Sequence, residues 1–270
     1  MSSKIIGRIG MGMLAFMALV AIFAPLIAPY DPFAMVGKPF QPPSGEFWLG
    51  TNDVGQDIFS ELVYGTRTSL LVGVLSALIS MFIGVTIGVC AGWFGGWLDR
   101  LLMKVTSFFI TIPFIPAVII LAAFTRSGIW TTAVILGVMS WAGLARLIRS
   151  QTMQIKTKDY ILTIRAMGAS SFYILTRHVI RELFPLLMYR ASDRIKSGIL
   201  SESSLSFLGL GDPISKSWGS MIYYAQSKSA LLTGSWVWWI IPAGACICFV
   251  CFGLIMISYY TESKADSRVE

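Results

Sequence analysis

Residues 160–185 read YILTIRAMGASSFYILTRHVIRELFP. This stretch is basic, helix-forming for most of its length, and set between long apolar runs. Upstream, an apolar run closes with Ala145-Arg146-Leu147-Ile148-Arg149; downstream the chain turns apolar again at Leu183. At the centre stands Ala166-Met167-Gly168-Ala169-Ser170. Gly168 is suited to the left-handed conformation that ends a helix, and Ser170 to capping the next one. The stretch therefore predicts helix, turn, helix. It is too polar for lipid, so it is expected in the cytoplasm as a knob that another molecule grips.

The surroundings make this a membrane chain. Of 270 residues, 55% are hydrophobic and only 13% charged, a membrane composition. A helical span needs about 20 apolar residues, and there is room for six: about 9–28, 69–91, 101–124, 129–148, 183–205 and 236–259. Net charge is +7, but its placement says more. Between Ala145 and Glu182 stand Arg146, Arg149, Lys156, Lys158, Arg165, Arg177 and Arg181 against Asp159 and Glu182. Between Tyr30 and Arg67 stand Asp31, Glu46, Asp53, Asp57 and Glu61 against Lys38 and Arg67. The positive-inside rule puts the first stretch in the cytoplasm and the second outside. The basic residues flank spans instead of forming one soluble face, which argues against nucleic-acid binding.

Lys4 and Arg8 precede the first apolar run, which is too long for a signal peptide and is read as an uncleaved span with the N-terminus inside. Prolines and glycines from Pro29 to Gly50 make an irregular outer segment. In Trp48-Leu49-Gly50-Thr51-Asn52-Asp53-Val54-Gly55-Gln56-Asp57-Ile58-Phe59-Ser60, either Asp53 or Asp57 is placed to cap a helix over 59–65. Ser76, Ser80, Gly84, Gly88 and Gly92 recur every fourth residue, a spacing at which another helix backbone approaches closely. Trp93-Phe94-Gly95-Gly96-Trp97 reads as an interfacial turn. Pro113 and Pro116 bend the third span, and Arg126-Ser127-Gly128 makes a short outer turn. SSLSFLGLG at 203–211 suits a loop or re-entrant segment held against protein. Trp236, Trp238 and Trp239 open the last span at the outer interface, and the tail from Thr261 is polar and loose. Cys90, Cys246, Cys248 and Cys251 lie in apolar runs with no interleaved ligand and read as small hydrophobes.

These motifs resemble a known family. Residues 160–185 resemble the cytoplasmic coupling loop of ABC-transporter permeases, above all the second permease of the dipeptide, oligopeptide and nickel importers. Tyr160, Arg165, Ala166, Gly168, Ala169, Arg177, His178 and Pro185 stand where that pattern has them. The family's E-A-A triplet is replaced by Leu162-Thr163-Ile164, which keeps the knob and removes its acidic residue. The segment 48–60 is similar to L-G-T-D-x-x-G-R-D-x-x-S, with Asn52 and Gln56 in place of the Asp and Arg. Glu202 to Met221 resembles E-x-S-L-S-F-L-G-L-G followed by S-W-G-x-M. The resemblance covers about 46–260. It implies an all-α, six-span permease with both termini cytoplasmic in the cell membrane, divided into a first span with its outer loop (1–66), the permease domain (67–260) and a tail (261–270). It also implies a second homologous permease, two ATP-binding subunits and an external binding protein as partners, with peptides or chelated nickel as the solute.

No phosphate-binding loop, nucleophile elbow or His/Cys cluster occurs in the sequence, so neither an enzyme nor a cofactor or metal site is expected. His178, the one histidine, is expected to make a polar contact within the loop. A chain that drives uphill transport without a nucleotide site must take energy from a separate ATPase. The alternative is a secondary transporter, which would carry internal repeats and midplane acids; no repeat is evident. The fifth span holds the remaining signal. Arg190, Asp193, Arg194, Ser197 and Ser201 share one helical face, with Lys196 beside it, and Met188, Ile195 and Ile199 on the other. Charges in lipid cost about 2.5–3.5 kcal/mol each, so this face should meet protein or a water-filled path. Two readings stay open: a buried cluster in which Asp193 neutralises Arg190, or a translocation path for solutes bearing carboxylates.

Overall fold

The structure, a computed structural model, describes residues 3–125, 128–228 and 230–266, with side chains as far as residue 262. Arg126 and Ser127 of the expected outer turn, and the last four residues of the tail, lie outside the described residues. Most of the described residues are helical. The helices are α1 (Ser3–Ile22), α2 (Ala24–Ile27), α3 (Ile58–Phe94), α4 (Gly96–Thr111), α5 (Phe114–Phe124), α6 (Ile129–Ser140) and α7 (Ala142–Lys156). They continue with α8 (Asp159–Ala166), α9 (Ser171–Ile174), α10 (Ile180–Phe207), α11 (Trp218–Ser227), α12 (Ala230–Thr233) and α13 (Trp236–Asp266). One irregular segment lies between α2 and α3 and another between α10 and α11. Among the described residues there is no strand, only an isolated bridge between Thr51 and Asp57.

Among the described residues three helices, α1, α3 and α13, are long and apolar enough to cross a membrane, and five if the bent pairs α4–α5 and α6–α7 each count as one span. The sixth passage is α10, 28 residues long but too polar to pass on composition. It is sheltered by packing on α3, α11 and α13. The α4–α5 pair turns through 86° at Ile112-Pro113, where proline cannot continue the helix.

α3 is a single 37-residue helix, about 55 Å long at 1.5 Å per residue. It absorbs both the short capped helix and the second span read from the sequence, and runs unbroken across residue 66. Its cap is Asp57, which accepts from the Ser60 amide at 2.9 Å; Asp53 pairs instead with Lys228 at 3.5 Å. The small-residue ladder explains how α7 lies against α3. A Cβ on Gly84 would sit 3.0 Å from the Trp141 carbonyl, on Gly88 2.6 Å from that of Ala145, and on Gly92 2.7 Å from that of Arg149. Asp99 at the start of α4 then holds Arg149 of α7 through two hydrogen bonds, 2.5 and 2.6 Å.

Several expectations are corrected. SSLSF is the last turn of α10, not a loop. Pro185 lies inside α10, which continues directly from α9 through a π turn at Leu175–Val179. Trp239 is no interfacial anchor; it is fully buried, edge-on to Phe40 at 6.5 Å, because α13 turns this residue inward against α11. The helix of the last span continues through 261–266, with the Thr261 hydroxyl donating to the Ile257 carbonyl at 3.0 Å. Two cores result. One joins α3, α7, α8, α9 and α10 around Trp93, Ile148, Ile161, Ile174 and Leu183. The other joins α1, α3, α10, α11 and α13 around Ile199, Trp218 and Trp239.

Candidate functional site

The projecting hairpin begins where α7 stops at Lys156, whose ammonium reaches the Trp93 carbonyl at 2.5 Å and so closes α7 onto the end of α3. After one turn the chain starts α8. Gly168 then takes φ +86°, a conformation favouring glycine, and Ser170 caps α9 by accepting from the Tyr173 amide at 3.3 Å. Helix, turn and helix stand as the residue types require. Underneath, Ile161 and Ile174 are fully buried, so the hairpin is anchored by apolar packing. Its base is also clamped by polar contacts: Glu182 of α10 forms an ion pair with Lys158 and accepts from the Tyr160 hydroxyl at 2.5 Å. Burial and the Glu182 carboxylate push the Tyr160 phenol up to about 12, so it stays a donor at neutral pH.

The sequence-expected residues divide here. Tyr160, His178 and Arg177 line one open pocket of about 300 Å³ with Tyr173, Arg181 and Glu182. Arg165, Ala166, Gly168 and Ala169 form the end of α8 and its turn. Pro185 stands apart, in α10. His178 does not make the polar contact expected of it; its ring sits 6.2 Å from that of Tyr160 and 5.6 Å from that of Tyr173, an aromatic filler. Leu162, where the family pattern has its acid, is exposed, as are Met167 and Phe172. The tip is thus apolar with arginines beside it. Lys158 and Glu182 were missed by the motif reading, although their opposite charges at the two stems were a visible signal.

The fifth-span residues are separated by the fold. Asp193, Lys196, Ser197 and Ser201 line a cavity of about 370 Å³ whose far wall is Phe114, Ile115 and Val118 of α5 and Leu136 of α6. Lys196 pairs with Asp193 at 3.0 Å. Of the two open readings, the one in which Asp193 neutralises Arg190 does not match the pairing found, since Lys196 holds that carboxylate. Arg190 lies over the Tyr189 ring at 5.1 Å, one turn nearer the start of α10 and outside the cavity lining. Arg194 turns into a neighbouring crevice with Ser76 and Ser140, and donates to the Ser140 carbonyl at 2.9 Å. Ser140 is the last residue of α6, and the 46° break before α7 leaves that carbonyl open to an outside donor.

At the opposite end of the bundle two polar knots fix the helices. Asn52 donates to Gln56 and to Glu61, both at 2.9 Å, and Lys216 reaches Glu61 at 2.5 Å and Gln56 at 2.8 Å. The two positions that depart from the family's Asp and Arg are thus wired to a carboxylate of α3 and a lysine some 150 residues later. Glu202 is buried among hydroxyls of Ser206 (2.8 Å), Ser69 (3.3 Å) and Ser203 (3.5 Å). Ser69 in turn accepts from the Trp218 amide at 3.2 Å. The acid of the family motif therefore ties α10, α3 and α11 together.

Comparison with known proteins places this arrangement. Residues 84–261 match the binding-protein-dependent transport system inner membrane component family, and residues 6–43 match the N-terminal transmembrane domain of oligopeptide transport permease C. The dipeptide transport system permease protein DppC of Bacillus subtilis (strain 168) is 34% identical over 84% of this chain and 71% of its own length. The oligopeptide transport system permease protein OppC of the same organism is 30% identical over 99% of this chain and 87% of its own. Among solved structures, the inward-facing MetNI methionine ABC transporter matches with a TM-score of 0.58 and 21% identity, over 78% of this chain and 96% of that one.

Proposed function

The chain belongs to the binding-protein-dependent inner-membrane permeases of ABC importers, and from that premise we propose that it carries peptides in concert with a second, similar permease, two ATPase subunits and an external binding protein. The single observation that carries the reading is the α8 hairpin: a short helix projecting beyond the bundle, with an exposed apolar tip at Leu162, Met167 and Phe172 and a rigid base. Tyr160, Arg165, Ala166, Gly168, Ala169, Arg177 and His178 form the surface and support of this docking element, and Pro185 lies in the helix behind it. Force applied there reaches the bundle through α7, which is locked to α3 and α4, and through α10, which Glu182 joins to α8. The α8 end is cytoplasmic, as are both termini, because the basic residues cluster there.

Peptides are favoured as the solute because the similar permeases are named for dipeptides and oligopeptides. The path runs beside α10, with Asp193, Lys196, Ser197 and Ser201 on its wall and Arg190 and Arg194 as supports around it. The test is uptake into proteoliposomes by the assembled complex. ATP-dependent uptake of peptide, delivered by the binding protein, is the expected result. Uptake by this chain alone under an ion gradient would instead make it a secondary transporter, and a co-purifying binding protein loaded with chelated nickel would change the solute.

A further inference from the structure

We propose that the Asp193–Lys196 pair is an exchangeable contact for the two ends of a zwitterionic solute. Lys196 takes the solute's carboxylate and Asp193 its ammonium group, while the wall of α5 and α6 takes apolar side chains. This rests on the chain's being the permease of a peptide importer, and it names how that permease meets its cargo.

Four observations carry it. First, both charged groups face the cavity and are reachable, Lys196 28% and Asp193 37% exposed at the side chain, whereas Arg194 is held at the Ser140 carbonyl and Arg190 lies outside the cavity lining. Second, the pair spans i and i+3 on one helix. The pair links no two helices, so exchanging each partner for a solute group of the same sign breaks no tertiary contact. Third, the wall opposite is apolar: Phe114, Ile115, Val118 and Leu136. A solute's charged ends lose water in such a space and need replacement partners. An ion pair supplies one of each sign, and the exchange leaves the net charge of the wall unchanged. Fourth, Ser197, Ser201 and Ser204 continue down the same wall and offer hydroxyls that both donate and accept, which suits a peptide group between the two ends. The cavity, about 370 Å³, falls within the range of about 300–1,000 Å³ usual for small-molecule sites.

The experiment uses the full complex with the four native cysteines replaced and Ser201→Cys introduced. The probe is a short peptide with free termini and a methanethiosulfonate group on one side chain. In detergent, where the cavity is reached without a binding protein, the probe should label Ser201→Cys. The same peptide acetylated at one end and amidated at the other should label at least tenfold more slowly. Lys196→Gln and Asp193→Asn should each reduce labelling by the free-ended probe at least tenfold, and reduce peptide uptake in proteoliposomes while ATPase activity persists. Lys196→Arg should retain most of both. Equal labelling by free and blocked probes overturns the exchange, and that comparison needs no charge variant to assemble. Absence of labelling in a complex that takes up peptide overturns the site and leaves the importer function standing. Absence of ATP-driven uptake by the parental complex removes the importer function, and the exchange with it.

Discussion

At the residue scale the decisive position is Gly168. Its φ of +86° is the left-handed region, and a Cβ there would meet nothing within 4 Å. Size is therefore not the constraint; backbone conformation is. Left-handed geometry costs most residues about 1–2 kcal/mol and asparagine less. Gly168→Asn should keep ATP-driven uptake near the parental rate. Gly168→Pro, whose φ is fixed near −65°, should abolish uptake with membrane insertion unchanged. Uptake assayed beside the amount of complex in the membrane checks both. Glu182 makes a second residue-scale case. Its contacts with Lys158 and Tyr160 hold the two stems of the hairpin together. They are largely exposed, so they contribute on the order of 0–1 kcal/mol to stability. Glu182→Ala should leave assembly intact and lower the peptide moved per ATP several-fold, measured as uptake and hydrolysis in the same vesicles.

At the element scale the contact of α3 with α7 sets how the docking hairpin is attached. The graded clearances at Gly84, Gly92 and Gly88 (3.0, 2.7 and 2.6 Å) order the damage a methyl group would do. Gly84→Ala should be mildest and Gly88→Ala worst, since the α7 backbone must yield. Overpacking of this kind costs about 1–3 kcal/mol. The expected outcome is a stepwise fall in the thermal stability of the purified complex, Gly84 before Gly92 before Gly88, followed by thermal unfolding in detergent. Arg194 belongs to the same scale. Its guanidinium serves the open carbonyl at the α6–α7 break, so Arg194→Gln should lower the yield of assembled complex while each assembled complex keeps its transport rate.

At the scale of the whole molecule the claim is topological. The bundle has the α8 hairpin at one end and the segment before α3 at the other, with Ser170 and Ser44 both exposed. In a chain freed of its native cysteines, Ser170→Cys should react with a membrane-impermeant maleimide only after the vesicles are opened. Ser44→Cys should react from outside in intact cells. Labelling of both from outside would rule out the six-span arrangement.

The sequence by itself determined the class of molecule and the place of the hairpin, because these depend on local quantities. Apolar runs long enough to span, the clustering of Arg and Lys around 146–181, Gly168 at a turn and Ser170 at a cap are all read within a few residues of one another. The four-residue period of 76–92 likewise announced a close helix contact without naming the partner. What joins distant segments was decided only by the tertiary structure. Periodicity put Arg190, Asp193 and Arg194 on one face, yet it could not tell which partner each would reach. Lys196 captured Asp193, the α6–α7 break supplied a carbonyl for Arg194, and Arg190 fell beyond the cavity. Trp239 looked like an interfacial anchor until α11 covered it. Asn52 and Gln56 looked like losses from a motif until Lys216 arrived from the far side of α10. Partners separated by 50 to 160 residues are chosen by how helices cross, and crossing depends on the packing of whole faces, which no short stretch of sequence contains.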